Sequence, residues 1–220
     1  QAIETADVAA LTSAQLSGLA TSSVAALTSS QVTSLSSSQL QALSSAQLNA
    51  LDTADVAAMG TSQIQALTAN QVSSLSSDRV TALTSAQIQA LTSSQVAGLT
   101  TGQVASLTTS QVEALTTAQV QALGSSQIAS MSSSQIAAIQ TTDVASLTTG
   151  QISGLTSGVI QSLSTSQVVA LGTSQVGAMG TAQLNALSST QVQAIETADV
   201  AALTSAQVSG LSTSAIAALT

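Results

Sequence analysis

The chain has 220 residues, 44% of them apolar, yet it contains no Phe, Tyr or Trp, so any core must be thin and built from Val, Ile, Leu, Met and Ala. Its net charge of -8 comes from nine scattered carboxylates, and Arg79 is the single cation, which leaves nothing to neutralise phosphates and excludes nucleic-acid binding. Without Cys there is no disulfide framework or thiolate site, and without His or Lys there is no ordinary base to activate a hydroxyl nucleophile.

From Glu4 to Leu219 the chain is one eight-residue phrase repeated 27 times without insertion or deletion. It reads roughly (Ser/Thr)-(Ser/Thr)-small-Gln-(Val/Ile/Leu)-x-(Ala/Ser/Gly)-Leu. A short fixed period means a stacked array and not a globule. Position five runs Val8, Leu16, Val24, Val32 and on to Ile216; position eight is Leu, relaxed to Met59, Met131 and Met179 or to Ile3, Ile139 and Ile195. Position seven admits only Ala, Ser or Gly, from Ala10 and Gly18 to Ala218, as expected where packing is too close for a larger side chain. Position six roams through Ala9, Ser17, Thr33, Gln41, Asn49 and Glu113, the tolerance of a solvated site.

Each octad carries the signals of a helix start. In Leu83-Thr84-Ser85-Ala86-Gln87-Ile88, Thr84 and Gln87 have the spacing of a capping box, while Leu83 and Ile88 have that of a hydrophobic staple. A box every eight residues predicts a helix of about one and a half turns in every octad. A single continuous helix is excluded, because an apolar stripe repeating every eight residues drifts by about 80° per octad and faces no one partner. A β-solenoid is the rival, since Val at five and Ala at seven alternate. Against it, Gln-x-x-Ala-Leu favours helix, and Gly18, Gly60, Gly102 and Gly177 fall at four different octad positions where a β-corner would fix them. The expected fold is therefore an all-α solenoid of very short capped helices covering 1–220 as one continuous array. A lone octad cannot fold, because one Val and one Leu do not offset the entropy of ordering eight residues; stability has to accumulate along the array.

Residues 1–19 and 193–211 differ only in Leu16 against Val208, so the text begins again after 24 octads. The sequence opens and closes in mid-octad with no polar terminal repeat, which leads us to expect a section of a longer protein or a subunit stacked end to end on its own copies. Apolar runs are short, four residues in Val168-Val169-Ala170-Leu171 and at most five, against the roughly 20 that a membrane helix needs, so no membrane span is expected.

Candidate sites are few. Asp7, Asp55, Asp143 and Asp199 replace the usual Gln at position four, and position one is then Glu4, Asp52, Gln140 or Glu196. Paired carboxylates could hold calcium or perform acid–base chemistry. The irregular spacing and the missing Gly-rich loop favour an alternative helix cap. The Ser/Thr pairs at positions one and two are read as caps, although as hydroxyl rows they could match ice or accept glycans. The Gln row from Gln15 to Gln207, broken also at Ser23, Arg79, Val159 and Ala215, is read as structural. We therefore expect no catalytic residue, no cofactor and no metal.

The Leu-Thr-x-x-Gln core resembles the motif of the LTxxQ family of bacterial periplasmic stress chaperones, where it lies within long helices, so only the capping physics transfers. The tandem form, as in Leu115 to Leu123 (LTTAQVQAL), is similar to octapeptide arrays of very long secreted or surface proteins of Gram-negative bacteria. That resemblance implies an extracellular stalk, fibre or adhesin whose partner is more of itself. The expected function is structural and non-enzymatic; the alternative is a binding module that presents its Ser/Thr rows to ice or to a surface ligand.

Overall fold

A computed structural model of the chain describes residues 4–219. Among them are 27 helices and no strand, one helix per octad, from α1 (Thr5–Ala10) to α27 (Thr213–Ala218), each four to six residues long. The all-α solenoid expectation holds and the β-solenoid is discarded.

The same local logic recurs in most octads. In α11 (Ser85–Ala90) the N-cap Thr84 is extended (φ -69°, ψ 160°), its side chain accepts the Gln87 N–H, and the Gln87 side chain accepts the Thr84 N–H in return. At the other end the Leu91 N–H bonds to the Ile88 carbonyl, three residues back and not four, which tightens and ends the helix. Leu91 then returns to extended geometry (φ -58°, ψ 136°) and leads directly into the next cap, Thr92 (φ -70°, ψ 157°). Two extended residues are the whole link. No described residue, glycine or otherwise, has a positive φ, so no octad position demands glycine, and this is why the glycines wander.

The chain divides into two compact units, 1–114 and 115–220. In the first, α2 (Ser13–Ser17) packs on α5 (Ser37–Ala42), and α4 (Ser29–Ser34) on α7 (Thr53–Ala58). In the second, α15 (Thr117–Ala122) packs on α18 (Thr141–Ser146), and α17 (Ser133–Ala138) on α20 (Ser157–Ser162). Each helix thus meets the one three octads on, while glutamine side chains reach back to carbonyls 28 residues away. Twenty-eight residues are three and a half octads. In both units the coil completes a turn between the third and fourth octad, a number that octad spacing alone does not encode.

Positions five and eight fill the interior. Leu40, Val80, Val104, Val144 and Ile160 are wholly inaccessible, and Leu51, Leu83, Leu123 and Leu171 are buried beside them. Position seven lies in a half-buried seam between successive turns, not in the core itself. A Cβ added to Gly154 would come within 2.6 Å of the Ser125 Cβ, and one on Gly210 within 2.5 Å of the Thr181 Cγ2, each on a helix three octads earlier. The restriction to Ala, Ser and Gly is a contact between turns.

Ala90 is half-buried in this seam and Ala97, at position six, is exposed. Ala90→Leu should destabilise by about 1–3 kcal/mol through overpacking, whereas Ala97→Leu should stay within about 0.5 kcal/mol of wild type. Urea denaturation followed by far-ultraviolet circular dichroism distinguishes the two.

Candidate functional site: the glutamine row and the acidic positions

The sequence singles out position four, and the structure gives it a second duty beyond capping. Gln87 is 2% exposed. Its Oε1 accepts the Thr84 N–H at 2.7 Å, closing the box of its own helix. Its Nε2 points the other way and donates to the carbonyls of Met59 at 2.7 Å, Val56 at 2.9 Å and Ala57 at 3.3 Å, four octads earlier. One planar amide therefore fixes a helix start and pins that helix to the C-terminal end of another. The second unit repeats the geometry: Gln151 Nε2 donates to Val120 and Leu123, and Gln183 Nε2 to Ile152 and Leu155.

Only glutamine does both. Glu would present an acceptor to three carbonyl oxygens, and Asn is one methylene short. No buried side-chain nitrogen or oxygen among the described residues lacks a partner. With the amide in place, carbonyls that a short helix would leave orphaned are satisfied inside the fold.

The exceptions show what each substitute can supply. Arg79 keeps the backward reach, its Nε donating to the Leu51 carbonyl at 3.0 Å, while its Nη1 takes the Ser76 hydroxyl at 2.9 Å, and no side chain then caps that helix. Val159 and Ala215 keep only the hydroxyl cap, from Thr156 and Ser212. Asp55, Asp143 and Asp199 are buried, and their carboxylates accept hydroxyl protons from Ser29 (2.8 Å), Thr117 (2.7 Å) and Thr173 (2.8 Å), each three octads earlier. At the exposed start of the array, the Glu4 N–H donates to the Asp7 carboxylate at 3.2 Å. Asp52 caps the Asp55 N–H at 2.8 Å. The capping reading of the position-four aspartates thus holds for Asp7, while the carboxylates of Asp55, Asp143 and Asp199 join turns and Asp52 caps its helix from position one. No group of three or more His, Asp or Glu side chains able to hold a metal occurs among the described residues.

One set of contacts was missed by the reading of position six as merely solvated. Asn49 Nδ2 donates to the Ser74 carbonyl at 2.7 Å and its Oδ1 accepts the Ser76 N–H at 2.8 Å. Asn185 does the same with Gly210 and Ser212. Gln41 and Gln121 reach the carbonyls of Ala66 and Ser146. These amides form an outer set of ties, running forward three octads where the inner row runs back four. The excess of Gln and Asn at position six was the available signal.

A family model described as the ALTTAQ repeat matches at residues 1–37, 48–85, 80–109, 107–141, 136–173, 144–181, 168–194 and 192–220. The chain belongs to the ALTTAQ repeat family. No curated protein matches it. The letters ALTTAQ fit the octad frame, since Ala, Leu, the two hydroxyl residues, the small residue and Gln are positions seven, eight, one, two, three and four. The family's motif thus spans the link between helices and ends on the amide that pins the next one.

In this ALTTAQ array Gln87→Ala would strand the Thr84 N–H and the Met59 carbonyl and leave the Val56 carbonyl with the Met59 N–H alone. We expect a local loss of about 1–3 kcal/mol, and at least as much for Gln87→Glu, whose carboxylate would face those carbonyls. Amide hydrogen exchange should accelerate around Thr84 to Ile88 and Val56 to Met59 and remain slow several turns away.

Proposed function

We propose that this ALTTAQ array is a structural protein, a fibre- or stalk-forming element at the cell surface or outside the cell, without catalytic activity and extended by association with further copies of itself. The observation that carries the reading is where the repeated polar groups go. The position-four amides are spent inside the coil, and the position-one hydroxyls on helix starts. What recurs in this sequence serves to join one turn to the next.

The exposed remainder gives chemistry little to work with. The outward rows carry small hydroxyl, amide and methyl side chains, and the protein has no His, Lys or Cys to activate them. No described helix is long and apolar enough to cross a membrane. Secretion accords with the array's resemblance to the octapeptide repeats of large surface proteins. The competing reading, a binding surface made of the Ser/Thr rows, is less well supported, because Ser13, Ser29, Ser157 and Thr173 already donate their hydroxyl protons within the fold.

Two measurements test the proposal. In the source cells, antibody against the array should label intact cells, and external protease should remove the signal; a signal found only after lysis would overturn the surface assignment. The isolated protein should also be durable. Trypsin's one target, Arg79, lies half-buried in α10 (Ser77–Ala82) and is hydrogen-bonded, the position-eight Leu and Met residues are largely buried, and the aromatic residues chymotrypsin prefers are absent. The folded chain should resist both enzymes, while in urea trypsin should cut once, after Arg79. Rapid cleavage under native conditions would count against a structural role.

A further inference from the structure

In the second unit, departures from the octad recur together at one distance. Asp143 and Val159 replace the position-four Gln, and Gly154, in the octad between them, replaces the commonest position-seven residue, Ala. Asp199, Gly210 and Ala215 repeat the set in the same order 56 residues on. Fifty-six residues are seven octads, twice the 28-residue reach of the inner amides. The two sets therefore fall at equivalent places in the coil, two turns apart.

Each set removes the same ties. An accepting carboxylate at 143 and an alkyl group at 159 send no donor back to the carbonyls of the buried residues Leu115 and Met131, 28 positions earlier, and the same holds at 199 and 215 for Leu171 and Leu187. Of the three octads 140–163, only the middle one keeps a backward amide, Gln151. Their helix starts are weaker as well. Helices α18 and α25 (Thr197–Ala201) have neither a side-chain cap nor a capping box, and α20 and α27 keep a hydroxyl cap alone. Besides apolar packing, the first seam is held by the Thr117–Asp143 bond, by long bonds from Ser125 to the carbonyls of Gly150 and Gln151 at 3.4 and 3.5 Å, and by exposed bonds of Gln121 and Ser162 for which water competes. Between the two sets the octads 164–195 are fully tied: Gln167, Gln175, Gln183 and Gln191 each donate to carbonyls 28 and 31 residues back.

We infer that these donor-poor seams are the yield points of the coil. Adjacent turns part there first, while the glutamine block between them stays closed, so the array gives way in two-turn lengths and not from an arbitrary octad. A helix of five or six residues does not persist without its neighbours, and parting a seam therefore releases the helices that line it. The inference rests on the structural reading above and deepens it: an element under tension would lengthen at set places and keep the rest of its cross-section.

Amide hydrogen exchange of the isolated 220-residue protein tests this at one equivalent site per octad. The N–H groups of Val144, Ile152 and Ile160, and those of Val168, Val176, Leu184 and Val192, all bond to a carbonyl four residues back and all belong to buried residues. The first three should be about tenfold less protected than the other four. Asp143→Gln/Val159→Gln supplies the missing amides and should raise protection at the three by about tenfold, leaving the four unchanged. Gln175→Asp/Gln191→Val should move the weakness, lowering protection at Val176, Leu184 and Val192. Equal protection at all seven sites, no gain in the first variant, or no loss in the second would overturn the proposal; the wild-type comparison decides by itself if a variant fails to fold. Exchange is read without cells, so a protein absent from the cell surface would remove the tension-bearing role and leave the seams.

Discussion

A helix of five or six residues cannot satisfy its own ends, and that constraint governs the rest of this fold. Such a helix makes only one or two of its own i to i−4 hydrogen bonds, so most of its backbone groups would stay unpaired if it stood alone. The amide at position four answers the difficulty at both ends at once, closing the start of one helix and the finish of another four octads back. The apolar rows of positions five and eight pack beneath these ties. Local and long-range order are joined in one side chain, so an isolated octad has neither.

The octads that depart from glutamine define the tolerance of this arrangement. Arg79 shows that the backward reach can survive without the box, and Val159 shows that a turn can hold on apolar contact and a hydroxyl cap. The buried aspartates at 55, 143 and 199 take the opposite course, accepting a hydrogen bond from a hydroxyl three octads earlier instead of donating one four octads back. An array with many equivalent ties absorbs a few such exchanges, because each turn is also held by its neighbours' amides and by the Asn and Gln ties on its outer side.

Much of the fold was legible in the residues because the local signals agreed. Thr84 with Gln87 and Leu83 with Ile88 specify a helix start, and an eight-residue frame without exception allows no longer element. The hidden part was the pairing between turns. Capping chemistry uses only the Oε1 of Gln87, so the destination of its Nε2 depended on the number of octads per turn, which follows from backbone angles at links such as Leu91-Thr92 and not from any residue type. The same ignorance concealed the outer ties, since Asn49 reads as a surface residue until Ser74 and Ser76 are brought beside it. Of the position-four aspartates Asp7 was rightly placed in a cap, but the hydroxyl partners of the other three, 26 residues away, could not be assigned.

None of the described residues has a positive φ, so no link between octads depends on a glycine. Each tie is defined by an offset along the chain and not by a particular pair of residues. Gain or loss of a whole octad, the natural product of unequal recombination between repeated coding sequence, therefore lets every downstream glutamine find an equivalent carbonyl. A gain of one or two residues would misalign every tie that spans it, those of the next three to four octads, and leave the offsets beyond intact. The exceptions to this freedom are the matched pairs Ser29–Asp55, Thr117–Asp143 and Thr173–Asp199, which an added octad between the partners would separate. Such pairs mark the stretches whose length is under constraint, and elsewhere the array can change length while leaving its cross-section untouched.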